Sequence, residues 1–455
     1  LVRDGDAMRS LLGSAHPDPL PVSPPRVATA GPTRAPVVRL EREEARVRVY
    51  RTGQGIPILV RRKGGAPLIH LGVYALGGAS DEAPARAGMT SLMVRTAIKG
   101  TERRTAAQIA EDSELLGGSV GGAAGAENFG WAISVPSVYA DAALELLADV
   151  IQHPTFPDDA LQTERAVAIA DLELLRDDMY RFPVRLMTQT AFAGHSYGVP
   201  ASGTEASLAA VNADDLRQWH RTRMLAAPAV IAVVGDVEPD EIAAAVAKCF
   251  PLLHPATPHE LDAPRWPAEA RLAVEQREKA QTALALGFPA PARGDDDRFA
   301  AHLIAGVASG LGGRFFDELR DRQSLAYTVS AYSSERRLAG MFVAYIATSP
   351  EKEDVARDGL LAEFAKLREQ LVTDEELTRA KEYAIGTYAI HQASGGAVLG
   401  DLVDAWLFGR NLRELEEHDA RVRAVAPLAM RDLARRYFDD GRVVQGIVRG
   451  VGKAV

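Results

Sequence analysis

"VNADDLRQWHRTRMLAAPAVIAVVGDV", residues 211–237, holds a polar helical segment with Asp-Leu, an aromatic residue, a turn, and a β-branched strand ending near glycine. "APLAMRDLARRYFDDGRVVQGIVRGV", residues 426–451, repeats that order. A second pair, "TFPDDALQTERAVAIADLELL" (155–175) and "LVTDEELTRAKEYAIGTYAI" (371–390), sets aspartate at the start of a long helix in both copies. Aspartate there reads as the N-cap, whose side chain satisfies the first free backbone N–H groups. Both pairs share an offset of about 215 residues, which predicts that the chain is an internal duplication.

Outward from these repeats, "LIHLGVYALGG", "FGWAISVPS" and "AVIAVVGDV" read as strands of the first half. "TALALGFPA", "LAYTVSAYSS" and "MFVAYIATS" do so in the second, with long helical runs over 139–152, 158–177, 353–370 and 374–392. Adjacent strands imply antiparallel pairing. The expected fold is α+β: two homologous halves, each a mainly antiparallel sheet with helices packed on one face. Composition divides the chain into a proline-rich N-terminal arm (1–45), a first half (46–250), a proline-rich linker (251–270) and a second half (271–455).

At 455 residues and 47% hydrophobic content, the chain can bury a large core. Its net charge of −9, without a basic block, argues against nucleic acid as a partner. No apolar run reaches the ~18 residues of a membrane span. A single cysteine, Cys249, excludes an internal disulfide framework and reads as a small buried hydrophobe. The start at Leu1 and the proline-rich arm point to export and a periplasmic location, with the cytoplasm as the alternative.

The stretch "ARAGMTSLMVRTAIKGTERRTAAQIAEDSELLGGSV" (85–120) joins several other phrases. These are "GGASDEAPARAG" (77–88), "ALELLADVIQHPTF" (143–156), "GHSYGVPASGTEASLAAVNADDLRQWHRTRM" (194–224) and "AVVGDV" (232–237). Together they resemble the pitrilysin/insulinase superfamily of zinc peptidases, in its two-domain, mitochondrial-processing-peptidase-like branch. Active members carry H-x-x-E-H on the helix after the Ala-Gly turn. Two imidazoles one helical turn apart share a zinc ion, the glutamate between them serves as base, and a downstream glutamate is the third protein ligand. By this resemblance the histidine positions fall on Ser91 and Arg95, the base on Val94 and the downstream glutamate on Asp171. Valine has no donor atom, and a guanidinium stays protonated and repels a metal ion. The segment is therefore expected to be a packing helix, with Leu92, Met93 and Ile98 facing the core and no metal held by this chain.

"GGRFFDELRDRQSLAYTVSAYSS" (312–334) resembles the family segment that presents an arginine and a tyrosine, seven residues apart, to bound peptide. Here they are Arg320 and Tyr327, and the resemblance implies that they hydrogen-bond the developing oxyanion of the scissile carbonyl. Phe316, one turn before Arg320, is expected to line the same pocket. Gly310, Gly312 and Gly313 are expected to bring backbone close to substrate. The resemblance further assigns "GGSVGGAAGAENFGWAISV" (117–135) to a strand whose edge pairs with peptide backbone. Losing the metal positions while keeping Arg320 and Tyr327 implies the zinc-less subunit of a heterodimeric peptidase. Its partner would be a homologous subunit with H-x-x-E-H and the zinc, its substrates peptides. An inert scaffold of the same fold is the alternative.

Overall fold

The computed structural model of the chain describes residues 38–310 and 312–451. Residues 1–37, most of the expected arm, lie outside the described residues. The first sheet has seven strands: β1 (Arg39–Glu44), β2 (Val47–Arg51), β3 (Pro57–Arg62), β4 (Leu68–Leu76), β5 (Gly121–Ala124), β6 (Asn128–Pro136) and β7 (Ala229–Gly235). The second has five: β8 (Arg271–Arg277), β9 (Thr282–Ala290), β10 (Thr328–Glu335), β11 (Gly340–Thr348) and β12 (Val444–Gly450). Their spatial orders are β1-β2-β3-β7-β4-β6-β5 and β10-β11-β9-β12-β8. All pairs are antiparallel except β3 with β7 and β8 with β12. Read from their parallel pairs, the runs β3-β7-β4-β6-β5 and β8-β12-β9-β11-β10 match strand for strand, so the duplication is visible as topology. The strand β1 lies within the stretch that composition assigns to the arm.

One face of each sheet carries the main helical layer, as an α+β fold with buried sheets requires. In the first half, helices Met89–Ala97, Ala140–Gln152 and Pro239–Cys249 bury Leu92, Leu147 and Val246 against Ile58, Ile69 and Ile231. In the second, helices Arg298–Ser309, Glu353–Glu369 and Pro427–Tyr437 cover Leu284, Leu286 and Phe342.

The opposite faces are closed by an exchange. Helix Gly395–Leu407, from the second half, lays Val398, Leu399, Leu402 and Val403 on Val47, Leu59, Val230 and Val234 of the first sheet. Helix Arg181–Ala191, from the first half, lays Met187 and Ala191 on Ala285, Val343 and Val444 of the second. Each sheet offers a glycine under the visiting helix. A Cβ on Gly72 of β4 would lie 3.1 Å from Leu399, and one on Gly287 of β9 would overlap the Met187 thioether. These glycines are themselves about 215 residues apart, so the duplication includes the socket for the exchanged helix. Leu402 is fully buried in this seam. Leu402→Ala is expected to cost about 2–5 kcal/mol, read as a lower urea midpoint at unchanged slope.

The helix starts correct one expectation. Asp158 and Asp374 are the first helical residues and not the caps, which are Pro157 and Thr373. The Thr373 hydroxyl accepts from the Glu376 amide, whose carboxylate accepts from the Thr373 amide, a reciprocal box that aspartate need not supply. In the first helical turn an aspartate still favours the helix through its dipole.

Candidate functional site

Helix Met89–Ala97 begins on Gly88, which holds the left-handed conformation at φ 85°. The buried Glu82 carboxylate accepts from the Gly88 and Thr90 amides, each at 2.7 Å, and so replaces a side-chain cap. Leu92, Met93 and Val94 are buried and Ile98 is half-buried, as a packing helix requires. Val94 is wedged against the edge strand β5: a Cβ on Gly122 would overlap its methyl group, and Trp131 Nε1 donates to its carbonyl at 3.1 Å.

Ser91 and Arg95 stand one turn apart on that helix, and helix Asp158–Asp177 brings Asp171 opposite them. Arg95 Nη2 donates to Asp171 Oδ2 at 2.6 Å. The structure therefore joins two of the positions that the sequence assigns to metal ligands, but as an ion pair. This set does not fit zinc. Its cation is already present as a guanidinium, Val94 offers no donor, and among the described residues no group of three or more His, Cys, Asp or Glu side chains could hold a metal ion.

The second half presents a different surface. Helix Arg298–Ser309 stops at Gly310, and a tight turn follows in which the Gly313 amide donates to the Gly310 carbonyl at 2.7 Å. A Cβ on Gly313 would meet the Gly310 backbone at 2.7 Å, so the turn needs glycine there. The Gly312 carbonyl accepts from Arg379. Residues Phe316–Arg322 then form a π-helix, with the Gln323 amide donating to the Glu318 carbonyl. Phe315 and Leu319 point inward and are fully buried.

Phe316 and Arg320 are half-buried, Phe316 resting at the margin of the core. The Arg320 guanidinium carbon sits 4.0 Å from the Phe316 ring centroid and 5.2 Å from that of Tyr327. Tyr327 is 81% exposed, which removes it from the core of β10. The nearest carboxylate to Arg320, on Asp321, lies 3.9 Å from Nε, beyond hydrogen-bond reach. Elsewhere in this half arginines are tied up in paired contacts, Arg314 to Glu376 and Arg449 to Glu353 among them. Among the described residues Arg320 has no carboxylate nearer than this loose ion pair with Asp321, and it sits beside a phenol that faces solvent.

The chain between them is held rigidly. Ser324 takes a left-handed φ of 50°, uncommon for a residue with a side chain. Its carbonyl accepts from Lys352 at 3.1 Å, and Thr348 donates to the Leu325 carbonyl at 2.6 Å. Arg320, Tyr327 and Phe316, singled out from the sequence, lie together in the structure. Sequence reasoning missed Ser324, Thr348 and Lys352, because a left-handed serine and contacts across a sheet leave no mark in residue spacing.

Arg314, two residues before Phe316, ties this turn to helix Asp374–His391. Its Nε and Nη2 donate to the two Glu376 oxygens at 2.6 and 2.8 Å. Hydrogen bonds from Arg314 hold the Glu376 carboxyl down at about 2. A carboxylate lowered on folding stabilises above its unfolded value, and that contribution is lost as pH falls through the folded one. The pair should thus lose its contribution between about pH 4.5 and 2. Arg314→Ala is expected to flatten the melting temperature over that window, measured by thermal unfolding across pH.

The contacts described for Ser91, Val94, Arg95 and Asp171 lie in the first half, and those of Phe316, Arg320 and Tyr327 in the second. Among the described residues, strand β5 ends the first sheet with one edge unpaired, and β10 ends the second in the same way. Among the described residues, no helix is long and apolar enough to cross a membrane.

The chain is similar to known proteins in sequence and in fold. A zinc protease of Bacillus subtilis, YmxG, is 25% identical over 397 residues, covering 87% of this chain and 96% of its own. One from Streptomyces coelicolor is 25% identical over 375 residues, covering 80% and 81%. In fold, the chain resembles a peptidase M16 inactive domain from Pseudomonas fluorescens (TM-score 0.80, 23% identity, covering 90% of this chain and 98% of that one). It also resembles a chain of complex III from Candida albicans (TM-score 0.75, 15% identity, covering 89% and 95%). The profile of the insulinase family (peptidase family M16) matches residues 58–205, and that of the M16 peptidase inactive domain matches residues 210–383. Two consecutive matches to M16 profiles, over residues 58–205 and 210–383, place the chain in the insulinase family of M16 peptidases.

Proposed function

We propose that this chain is the zinc-less subunit of a heterodimeric M16 metallopeptidase. The partner is a homologous subunit with intact H-x-x-E-H, which carries the zinc; this chain holds no metal of its own. Its part is to grip the peptide and to stabilise charge on the carbonyl under attack. Arg320 and Tyr327 donate hydrogen bonds to that oxygen from two sides, a fixed cation and a phenol in reach of one acceptor. The peptide lies as an added strand along a sheet edge, where backbone groups supply affinity independent of sequence. Export to the periplasm, with the proline-rich arm leading, belongs to the same reading.

The observation that carries it is the state of Arg320: within cation–π distance of Phe316 and of an exposed Tyr327 and, among the described residues, no closer than 3.9 Å to a carboxylate. An inert scaffold has no use for an uncommitted cation of this kind, although its fold would be the same. The test is co-purification with a paralogue encoded beside this chain. A stable complex that cleaves a quenched-fluorescent peptide mixture supports the assignment; a complex that assembles and cleaves nothing leaves the scaffold reading in its place.

A further inference from the structure

We infer that Phe316 is a positioning residue for Arg320: its ring and the π-helix beneath it fix the plane of the guanidinium, so that only the donor edge faces the substrate. This rests on the proposed role of Arg320 and extends it to a residue that never touches the reacting atoms.

The geometry starts from the inward side of the same turn. Phe315 packs edge-on to Phe364, with ring centroids 5.5 Å apart, and Leu319 closes on Gly359, where a Cβ would lie 2.8 Å from its methyl group. These two residues, four apart, anchor the π-helix in the core. The next residues along, Phe316 and Arg320, are also four apart and share the outward face. Residues four apart on a helical turn share a face, and this π-helical turn keeps Phe316 and Arg320 side by side. The result is a guanidinium carbon 4.0 Å from the ring centroid, well inside the range of a cation–π contact.

Two consequences follow from the stacking. A guanidinium on a flexible stem loses rotamer freedom when it binds, and a ring that already holds it removes part of that cost before substrate arrives. A guanidinium laid on a ring face also keeps its N–H groups in the plane, where they meet a carbonyl oxygen edge-on. Tyr327, at 5.2 Å on the other contact, keeps its hydroxyl exposed and can donate to the same acceptor.

The test uses the complex with the H-x-x-E-H paralogue and a quenched-fluorescent peptide mixture. Phe316→Leu keeps apolar bulk but has no ring face, and kcat should fall on the order of tenfold with KM within about twofold. Phe316→Tyr restores the ring and should keep kcat near that of the unaltered complex. A leucine variant as fast as the unaltered complex overturns the inference, and so does a tyrosine variant as slow as the leucine one. Arg320→Ala is run beside them. If it is slow while Phe316→Leu is fast, positioning fails and the role of Arg320 stands; if Arg320→Ala is itself fast, the proposed function fails. A measurement that does not depend on activity uses this chain alone. The Arg320 Nε–H resonance, assigned by its loss in Arg320→Lys, should be shifted upfield by the Phe316 ring current, and a resonance at the position of unstacked arginines overturns the stack.

Discussion

Arg320→Ala in the assembled peptidase is expected to lower kcat by a factor on the order of 10²–10³, as for removal of one preorganised oxyanion donor. KM should change far less, because a donor that acts on charge developing in the transition state contributes little to ground-state binding. Subunit association and the melting temperature of the chain should stay where they were. Arg320 is partly exposed, and the contacts of its side chain described above are two ring faces and the 3.9 Å approach to Asp321. Steady-state kinetics on the purified complex, with a melting curve for each variant, checks both halves of the expectation. An equal loss of kcat and stability would mean that Arg320 serves the fold and not the peptide.

The second large effect concerns the platform beneath that arginine. Phe364 is fully buried and touches Phe288, Phe315, Phe342 and Phe438, with centroids between 4.7 and 5.9 Å. Phe315 links this cluster to the π-helix, so the cluster fixes the outward turn from below. Phe364→Ala removes a ring from the centre of a close-packed group and is expected to cost about 3–5 kcal/mol. Against a typical total of 5–15 kcal/mol that is a large fraction, and the urea midpoint should fall accordingly. The loss should appear in signals from both halves at once, since each sheet is closed by a helix of the other half. A midpoint within experimental scatter of the unaltered chain would show that the cluster repacks around the gap.

Much of the fold was legible in the sequence. "TALALGFPA" reads as a strand because a short β-branched and apolar run between turns can be buried on both faces, and β9 spans those residues. The repeat of a polar helix followed by such a strand announced the duplication, and the two strand orders carry it. The exchanged helices were not legible. An apolar face on Arg181–Ala191 or Gly395–Leu407 says that something covers it, never which sheet. Nor does Gly72 or Gly287 advertise its partner, since a glycine in a strand marks close approach without naming what approaches.

The candidate site divides in the same way. The proximity of Arg320, Tyr327 and Phe316 was legible, the first two from their spacing and flanks and Phe316 from its place one turn earlier. The pairing of Arg95 with Asp171 joins residues 76 apart in sequence, and local pattern carries nothing about it. The π-helix was out of reach for a related reason: its extra residue per turn arises from how Phe315 and Leu319 seat in the core, a tertiary effect that overrides the local preference for an ordinary helical turn.

The most direct measurement of the central claim is peptide cleavage by each subunit alone and by their equimolar mixture. Neither this chain nor its H-x-x-E-H paralogue should cleave by itself, and the mixture should. A mixture made with Arg320→Ala, Tyr327→Phe should form the same complex yet cleave hundreds of times more slowly. Cleavage by this chain alone, or a doubly altered mixture as fast as the unaltered one, would contradict the account.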